Sequence, residues 1–362
     1  MNNLLMLFKK TDHYLLGLII TIITLGLFTL ASSDQSGARL VLSQLINIII
    51  GMIFMVWIVL TDPKKIFFYA PFLYLFSILL LLGVLFFGYE SHGAQRWLNF
   101  GFFKFQPSET LKLTVPLILA WLYSNNDKDI NIWQHLKAFI LITIPFYLVF
   151  SQPDLGTALM ISFCGLIIIF TAGLSAKFIT ISTIIFFAAS PFLWLSLQPY
   201  QQKRVLTLFD PFGDALGSGY QTIQSMIALG SGGLIGKGWG NATQTYLDFL
   251  PEASTDFIFA VFSEEFGFLG VVGVLIIYLL IFYRCMFMVS KMQDTFSRLL
   301  SIGITMSIFF GLLVNLGMIS GMLPIVGVPM PLFSYGGTSM VVSLISIGII
   351  MTLYNNKTLI AN

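Results

Sequence analysis

Charge is what this chain has least of. Only 9% of its 362 residues are Asp, Glu, Lys or Arg, whereas 57% are hydrophobic. A soluble domain carries about 25% charged residues. This chain cannot clothe a water-facing surface, so lipid must be its solvent. The net charge of +2 says little about partners. Basic tracts and basic–aromatic repeats are missing too, which argues against a nucleic-acid partner. Cysteine is scarce: Cys164 and Cys285 lie inside separate apolar runs, so no disulfide or metal pair is implied. His13, His92 and His135 are scattered and lack the clustered spacing of metal ligands. No internal repeat is visible, which disfavours a transporter built from inverted repeats.

What is abundant is apolar runs of about 20 residues, the length that spans a bilayer. Ten are found, at 14–31, 43–61, 66–88, 108–124, 137–151, 155–173, 178–197, 266–290, 299–319 and 337–354. The run at 14–31 follows Lys9 and Lys10 as a signal peptide would, but it is long for one and more spans follow, so it reads as the first helix. The expected fold is therefore an all-α integral membrane protein of about ten transmembrane helices, one polytopic domain over residues 1–362.

Loop charges orient it. With the N-terminus inside, eleven cations face inward: Lys9, Lys10, Lys64, Lys65, Lys128, Lys137, Lys177, Arg284, Lys291, Arg298 and Lys357. Six face outward, namely Arg39, Arg96, Lys104, Lys203, Arg204 and Lys237, while Lys112 lies within a span. Both termini are then cytoplasmic. The outward stretches include 89–107, 320–336 and the long extracytoplasmic loop 198–255 between spans 7 and 8, too short for a separate domain of usual size.

The unusual polar residues fall at the outward ends. Gln106-Pro107-Ser108-Glu109 opens a span, with Pro107 suited to a first helical turn and Glu109 placed where the helix dipole favours an anion. Lys112 is three residues on and shares its face, so the two mark either a polar cavity or a structural ion pair. Arg96, beside Trp97, is a cation of a neighbouring outward segment or an interfacial anchor. Gln152-Pro153-Asp154 repeats the design, with Asp154 in the first turn of the next helix. Asp154 either complements the dipole or joins a shared cavity. Lys203 and Arg204 suit an anionic headgroup, or form a solvated pair.

Gly230–Trp239 looks like a phosphate loop and fails the pattern, because Ser231 takes the first glycine position and Gly238 replaces the hydroxyl residue after Lys237. Its glycines read instead as close approach of backbone to a partner or substrate. Asp256 stands where this long loop returns to an apolar helix. Ser254 or Thr255 can cap that helix, and an intramembrane-edge carboxylate such as Asp256 marks a site. Glu264 and Glu265 read as structural. The stretch Asn315–Thr338 carries three prolines and five glycines in otherwise apolar sequence. Irregular backbone at membrane depth must be buried in protein or line a cavity, so it is expected to dip inward as a cavity wall.

Together Gly93–Lys112, Gln152–Ala158, Lys203–Pro211, Gly219–Glu265 and Asn315–Gly337 closely resemble the SEDS family (shape, elongation, division and sporulation). The branch is RodA-like rather than division-type, on Phe249–Glu252, Lys203–Thr207 and Gly327–Pro331. Ser254 departs from the pattern, standing where the family usually has His.

The resemblance implies a peptidoglycan glycosyltransferase of the bacterial cytoplasmic (inner) membrane, polymerising lipid II on the outer face for elongation and rod shape. It makes Asp256 the general base for an inverting displacement of undecaprenyl pyrophosphate. Arg96, Lys112, Lys203 and Arg204 are candidates for the pyrophosphate, with Glu109 holding Lys112 and Asp154 orienting substrate or a cation. A divalent cation such as Mg2+ could screen the pyrophosphate, although no motif demonstrates one. The implied partners are a class B penicillin-binding protein transpeptidase, reached through outward loops and lipid-facing helices near 320–345, and other elongation-complex membrane proteins. A lipid II flippase and a non-catalytic transpeptidase scaffold are the alternatives.

Overall fold

The computed structural model describes residues 10–33, 37–91, 94–99, 101, 104–125, 131–174, 180, 184, 188, 190–192, 194–215, 217, 219–247 and 249–355. In chain order the helices are α1 (His13–Ser32), α2 (Gly37–Val59), α3 (Pro63–Phe87), α4 (Pro107–Ser124), α5 (Ile132–Ser151), α6 (Leu155–Thr171), α7 (Pro199–Phe209), α8 (Tyr220–Ser231), α9 (Thr243–Tyr246), α10 (Ile258–Ser290), α11 (Thr295–Ile319) and α12 (Gly337–Asn355). Short polar side chains start many of them. Asp12, Asp62, Asp154 and Asp294 accept from the backbone amides of the first turns of α1, α3, α6 and α11, and Asn131 closes a capping box with Gln134 on α5. Such caps satisfy amides that have no partner inside the helix.

Seven of the described helices (α1, α2, α3, α5, α10, α11 and α12) are long and apolar enough to cross a membrane. The chain is a multi-pass membrane protein. The other three expected runs stand apart for separate reasons. α6 is apolar but only 17 residues long. α4 packs against α3, α5, α6, α11 and α12, and its Leu111, Val115, Leu119 and Ala120 have no exposed surface. A helix wrapped in protein rather than lipid can carry Glu109 and Lys112. The run 178–197 lies mostly outside the described residues. By contrast α2 and α3 show long apolar rows to the outside, including Ile46, Ile53 and Trp57 on α2 and Phe68, Phe72 and Phe76 on α3.

α10 is longer than the expected run 266–290. Its 33 residues contain one break at Gly267, with φ 64° and ψ −166°. At about 1.5 Å per residue an unbroken helix of that length would far exceed the ~30 Å hydrocarbon core. The kink turns Ile258–Phe266 into a separate segment, and the expected span is the part beyond it.

The stretches expected to face outward are more structured than loops. Residues 89–107 contain a three-stranded antiparallel sheet, β1 (Tyr89–Ser91), β2 (Ala94–Asn99) and β3 (Lys104–Phe105), with Tyr89 opposite Trp97 and Leu98 opposite Phe105. The stretch 198–255 contains α7, a 3-10 turn at Pro211–Asp214, α8 and α9, and α8 packs on α10 and α11.

The stretch 320–336 runs inward, as its glycine and proline content predicts. Pro331, Leu332, Phe333 and Ser334 are buried. Side chains satisfy its irregular backbone. Tyr278 Oη donates to Pro331 O at 2.5 Å, Met330 N donates to Ser334 Oγ at 2.8 Å, and Gln44 of α2 bonds both Ser334 O and Gly336 N. This is the condition under which non-helical backbone survives at membrane depth. Because residues 324–354 include no exposed position, the helix near 337–345 does not face lipid as expected. It is a core element.

Candidate active site

Asp256 sits in the turn joining α9 to α10. Neither Ser254 nor Thr255 caps α10: Phe257 is the N-cap and supplies no side-chain bond. Thr255 Oγ1 instead donates to Glu252 Oε2 at 2.8 Å, and Ser254 O accepts from Tyr335 N at 3.1 Å. The turn is thus tied at its start to itself and at its end to the inward loop. Glu252 adopts φ 56°, a left-handed conformation uncommon for a residue with a side chain. Phe257, Ile258 and Phe259 are buried and fix the exit.

The structure brings Arg96, Asp154 and Arg204 to this turn. β2 delivers Arg96, whose guanidinium bonds Gln152 O at 3.5 Å and Pro153 O and lies 3.9 Å from Asp154 Oδ2. Asp154 is the N-cap of α6 rather than a member of its first turn. It accepts from Thr157 N at 3.1 Å, Thr157 Oγ1 at 2.9 Å and Gln106 Nε2 at 3.4 Å. Arg204 on α7 donates to Ile325 O at 2.9 Å. Arg96, Arg204, Gly156 and the Pro324–Val326 strip line one cleft.

The electrostatics follow. Burial, then the negative charges of Glu252 and Asp154, push the Asp256 carboxyl from 3.8 up to about 7, against the opposing pull of Arg204 and Arg96. Its carboxylate oxygens accept no hydrogen bond among the described residues. A carboxylate balanced near neutrality, with free lone pairs, can take a proton from a hydroxyl.

Glu109 and Lys112 form an ion pair at 2.6 Å and line a second cavity with Ser307, Ser339, Ser343 and Val328. Both readings of this pair therefore hold, since it is an ion pair and it faces a cavity. The inward loop separates the two spaces, giving Ile325 and Val326 to one and Val328 and Pro329 to the other. Lys203 does not join the cluster. It pairs with Asp214 at 2.7 Å, and both side chains are largely exposed.

The glycine loop's partner is the chain itself. Lys237 N and Gly238 N donate to Glu264 O and Glu265 O at 3.0 and 2.9 Å, while Phe268 N and Leu269 N donate back to Gly233 O and Leu234 O. A β-carbon at Gly236 would stand 2.0 Å from Glu265 O, and one at Gly267 would stand 2.3 Å from Gly236 N. Gly232 and Gly236 let this loop lie on the backbone of α10 at its kink. Glu264 is structural as expected, accepting from Lys237 Nζ at 2.5 Å and from Thr243 N, Thr243 Oγ1 and Gln244 N. Sequence reasoning missed Glu252 as a neighbour of Asp256, although its place four residues upstream was a signal. Nothing local pointed to Thr157, to Gln106 as a partner of Asp154, or to the sheet that carries Arg96. Among the described residues no group of three or more His, Cys, Asp or Glu is arranged to hold a metal ion.

The family described as "Cell cycle protein", FtsW/RodA/SpoVE, matches residues 4–359. The chain is 39% identical over 351 residues to the peptidoglycan glycosyltransferase MrdB of Escherichia coli K12, covering 97% of this chain and 95% of that protein. It is 33% identical to stage V sporulation protein E of Bacillus subtilis, covering 95% and 97%. Two solved structures share the fold. One, from work on structural coordination of polymerization and crosslinking by a peptidoglycan synthase complex, gives a TM-score of 0.83 at 32% identity, covering 96% and 98%. The other, the rod shape determining protein RodA of Thermus thermophilus, gives 0.73 at 27% identity, covering 96% and 97%. A polytopic helical membrane fold of the FtsW/RodA/SpoVE class is thus defined, and this chain belongs to that family.

Proposed function

We propose that Asp256 is the base of a glycan-polymerising centre at the outer membrane face, with Arg96 and Arg204 holding the departing pyrophosphate. The chain is a peptidoglycan glycosyltransferase that polymerises lipid II for cell elongation and shape. In the reaction the 4-hydroxyl oxygen of an N-acetylglucosamine attacks the anomeric carbon of the donor. Its proton passes to Asp256, and the bond to undecaprenyl pyrophosphate breaks. An α linkage becomes β-1,4, so one in-line displacement with inversion suffices. Fixed positive charge at the leaving group lowers the barrier because it meets charge that develops in the transition state. Lys112, held by Glu109, supplies a further cation from the adjoining cavity, and Asp154 orients Arg96. Lys203 is assigned to the Asp214 pair and drops out of the substrate set.

The observation that carries this reading is the meeting of four charged groups from separate elements: Arg96 and Arg204 line one cleft, Asp154 lies 3.9 Å from Arg96, and Asp256, whose carboxyl feels the charge of all three, stands against the inward loop that walls the cleft. The topology extends the same reading: ten spans, both termini cytoplasmic, and the cleft on the outer side of a bacterial cytoplasmic membrane. The partner is a class B penicillin-binding protein transpeptidase. The solved relative studied for coupled polymerization and crosslinking supports that pairing.

The test is polymerisation of purified lipid II by the chain with its cognate transpeptidase, comparing wild type with Asp256→Asn. Loss of glycan strands with the complex intact is expected. Undiminished strands would remove Asp256 from the chemistry. Absence of polymer even from the wild-type complex would favour a flippase or a scaffold.

A further inference from the structure

Asn315 lies near the end of α11 and has no exposed surface. Its Nδ2 donates to Asp256 O and to Val328 O, both at 2.8 Å. An amide nitrogen has two hydrogens, so both are used. The orientation is forced, because the flipped amide would set Oδ1 against two carbonyl oxygens. The cost is visible: Asn315 Oδ1 is buried with no hydrogen-bond partner among the described residues. A buried amide that leaves its own acceptor empty is committed to the two carbonyls it serves.

Those carbonyls belong to the two strips that enclose Asp256. One is its own turn. The other is the inward loop, where Gly327 adopts φ 70° and a β-carbon would stand 3.4 Å from Asp256 Oδ2. Both strips are irregular backbone with left-handed residues, Glu252 in one and Leu332 in the other, so neither is held by a helical or sheet ladder at this point. A hydrogen bond from Tyr335 N to Ser254 O also joins the two strips.

We propose that Asn315 is a positioning residue for glycan polymerisation: by clamping the carbonyls of Asp256 and Val328 to α11, it fixes the base against the inward loop. The inference rests on the reading of Asp256 as base. Asn315 touches no substrate. It acts through the backbone that carries the carboxyl, and through the dry surroundings that a closed wall gives it.

The experiment uses the chain with its transpeptidase partner and compares Asn315→Leu, Asn315→Ser, Asp256→Asn and Leu312→Ala. Leu312 is a buried residue of the same helix outside the site, and its variant reports the effect of mere damage to α11. Asn315→Leu keeps the volume and removes both bonds. Its kcat should fall about 10- to 100-fold, since an ångström of misplacement has that effect, while KM stays unchanged. Its acidic pH limb should move to lower pH, because a loosened turn hydrates the carboxyl. Leu312→Ala should lower the melting temperature and leave the limb in place. Asn315→Ser keeps at most one bond and should fall between, and it decides the matter if the leucine variant does not assemble. Wild-type kcat and limb in the Asn315 variants, or the same kcat loss in Leu312→Ala, would overturn the inference. An inactive Asp256→Asn beside a fully active Asn315→Leu would overturn it alone. An active Asp256→Asn would overturn the base assignment and this inference with it.

Discussion

Two carboxylates eight residues apart, Asp256 and Glu264, receive opposite treatment. Glu264 has no exposed surface, and it accepts from Lys237, Thr243, Gln244 and Ser231. These donors lock it as an anion that pins the glycine loop to α10. Asp256 is half-buried, accepts nothing among the described residues, and sits between two anions and two arginines. Burial with saturated hydrogen bonds makes a carboxylate structural. Partial burial without them leaves it free to exchange a proton.

The sharpest way to break this comparison is to neutralise each acid's role. Asp256→Asn should reduce polymerisation by about 10²- to 10⁴-fold, the usual contribution of a general base. The expected signature is strand length and amount on gels, with complex formation unchanged. Lys237→Met should do the reverse. It leaves Glu264 with amide and hydroxyl donors but no cation, and should lower stability by about 1–3 kcal/mol, read as a lower melting temperature, with the rate per folded molecule retained.

The pH profile sharpens the contrast further. A base must be ionised, so kcat/KM should hold above the Asp256 pKa of about 7 and decline as pH falls through it. Glu252→Gln removes an anion that raises that pKa, so the acidic limb should move to lower pH, with relative activity gained at pH 6 and the plateau near wild type. A limb that stays put would mean that Glu252 does not act on the titrating group. The smallest effect belongs to Lys203→Ala. Its exposed pair with Asp214 should contribute about 0–1 kcal/mol, and polymerisation should stay close to wild type. A large loss of activity would return Lys203 to the substrate set.

The helices were readable because a bilayer demands long apolar runs; α1, α3, α11 and α12 lie within about four residues of the expected bounds, while α2 and α5 start five or six residues earlier. The inward loop was readable because proline and glycine at membrane depth admit few other fates. The sheet at 89–107 was not, since its strands are too short to carry an alternating pattern. The length of α10 was not, since the Gly267 break has no meaning until the Gly232–Gly238 loop lies on it.

Residue types alone therefore determined a lipid-embedded helical chain and singled out its unusual polar residues, Arg96, Glu109, Lys112, Asp154, Arg204 and Asp256, at or beside the ends of its apolar runs. Apolar content and charge placement depend on the solvent, which a sequence records directly. The tertiary structure decided which of these residues meet: Arg96 with Asp154, Asp256 with Asn315, and Lys203 with Asp214 instead of the cleft. Those meetings join residues far apart in the chain, or divide neighbours such as Lys203 and Arg204. They are set by how helices pack and where backbone carbonyls point, which no local pattern encodes.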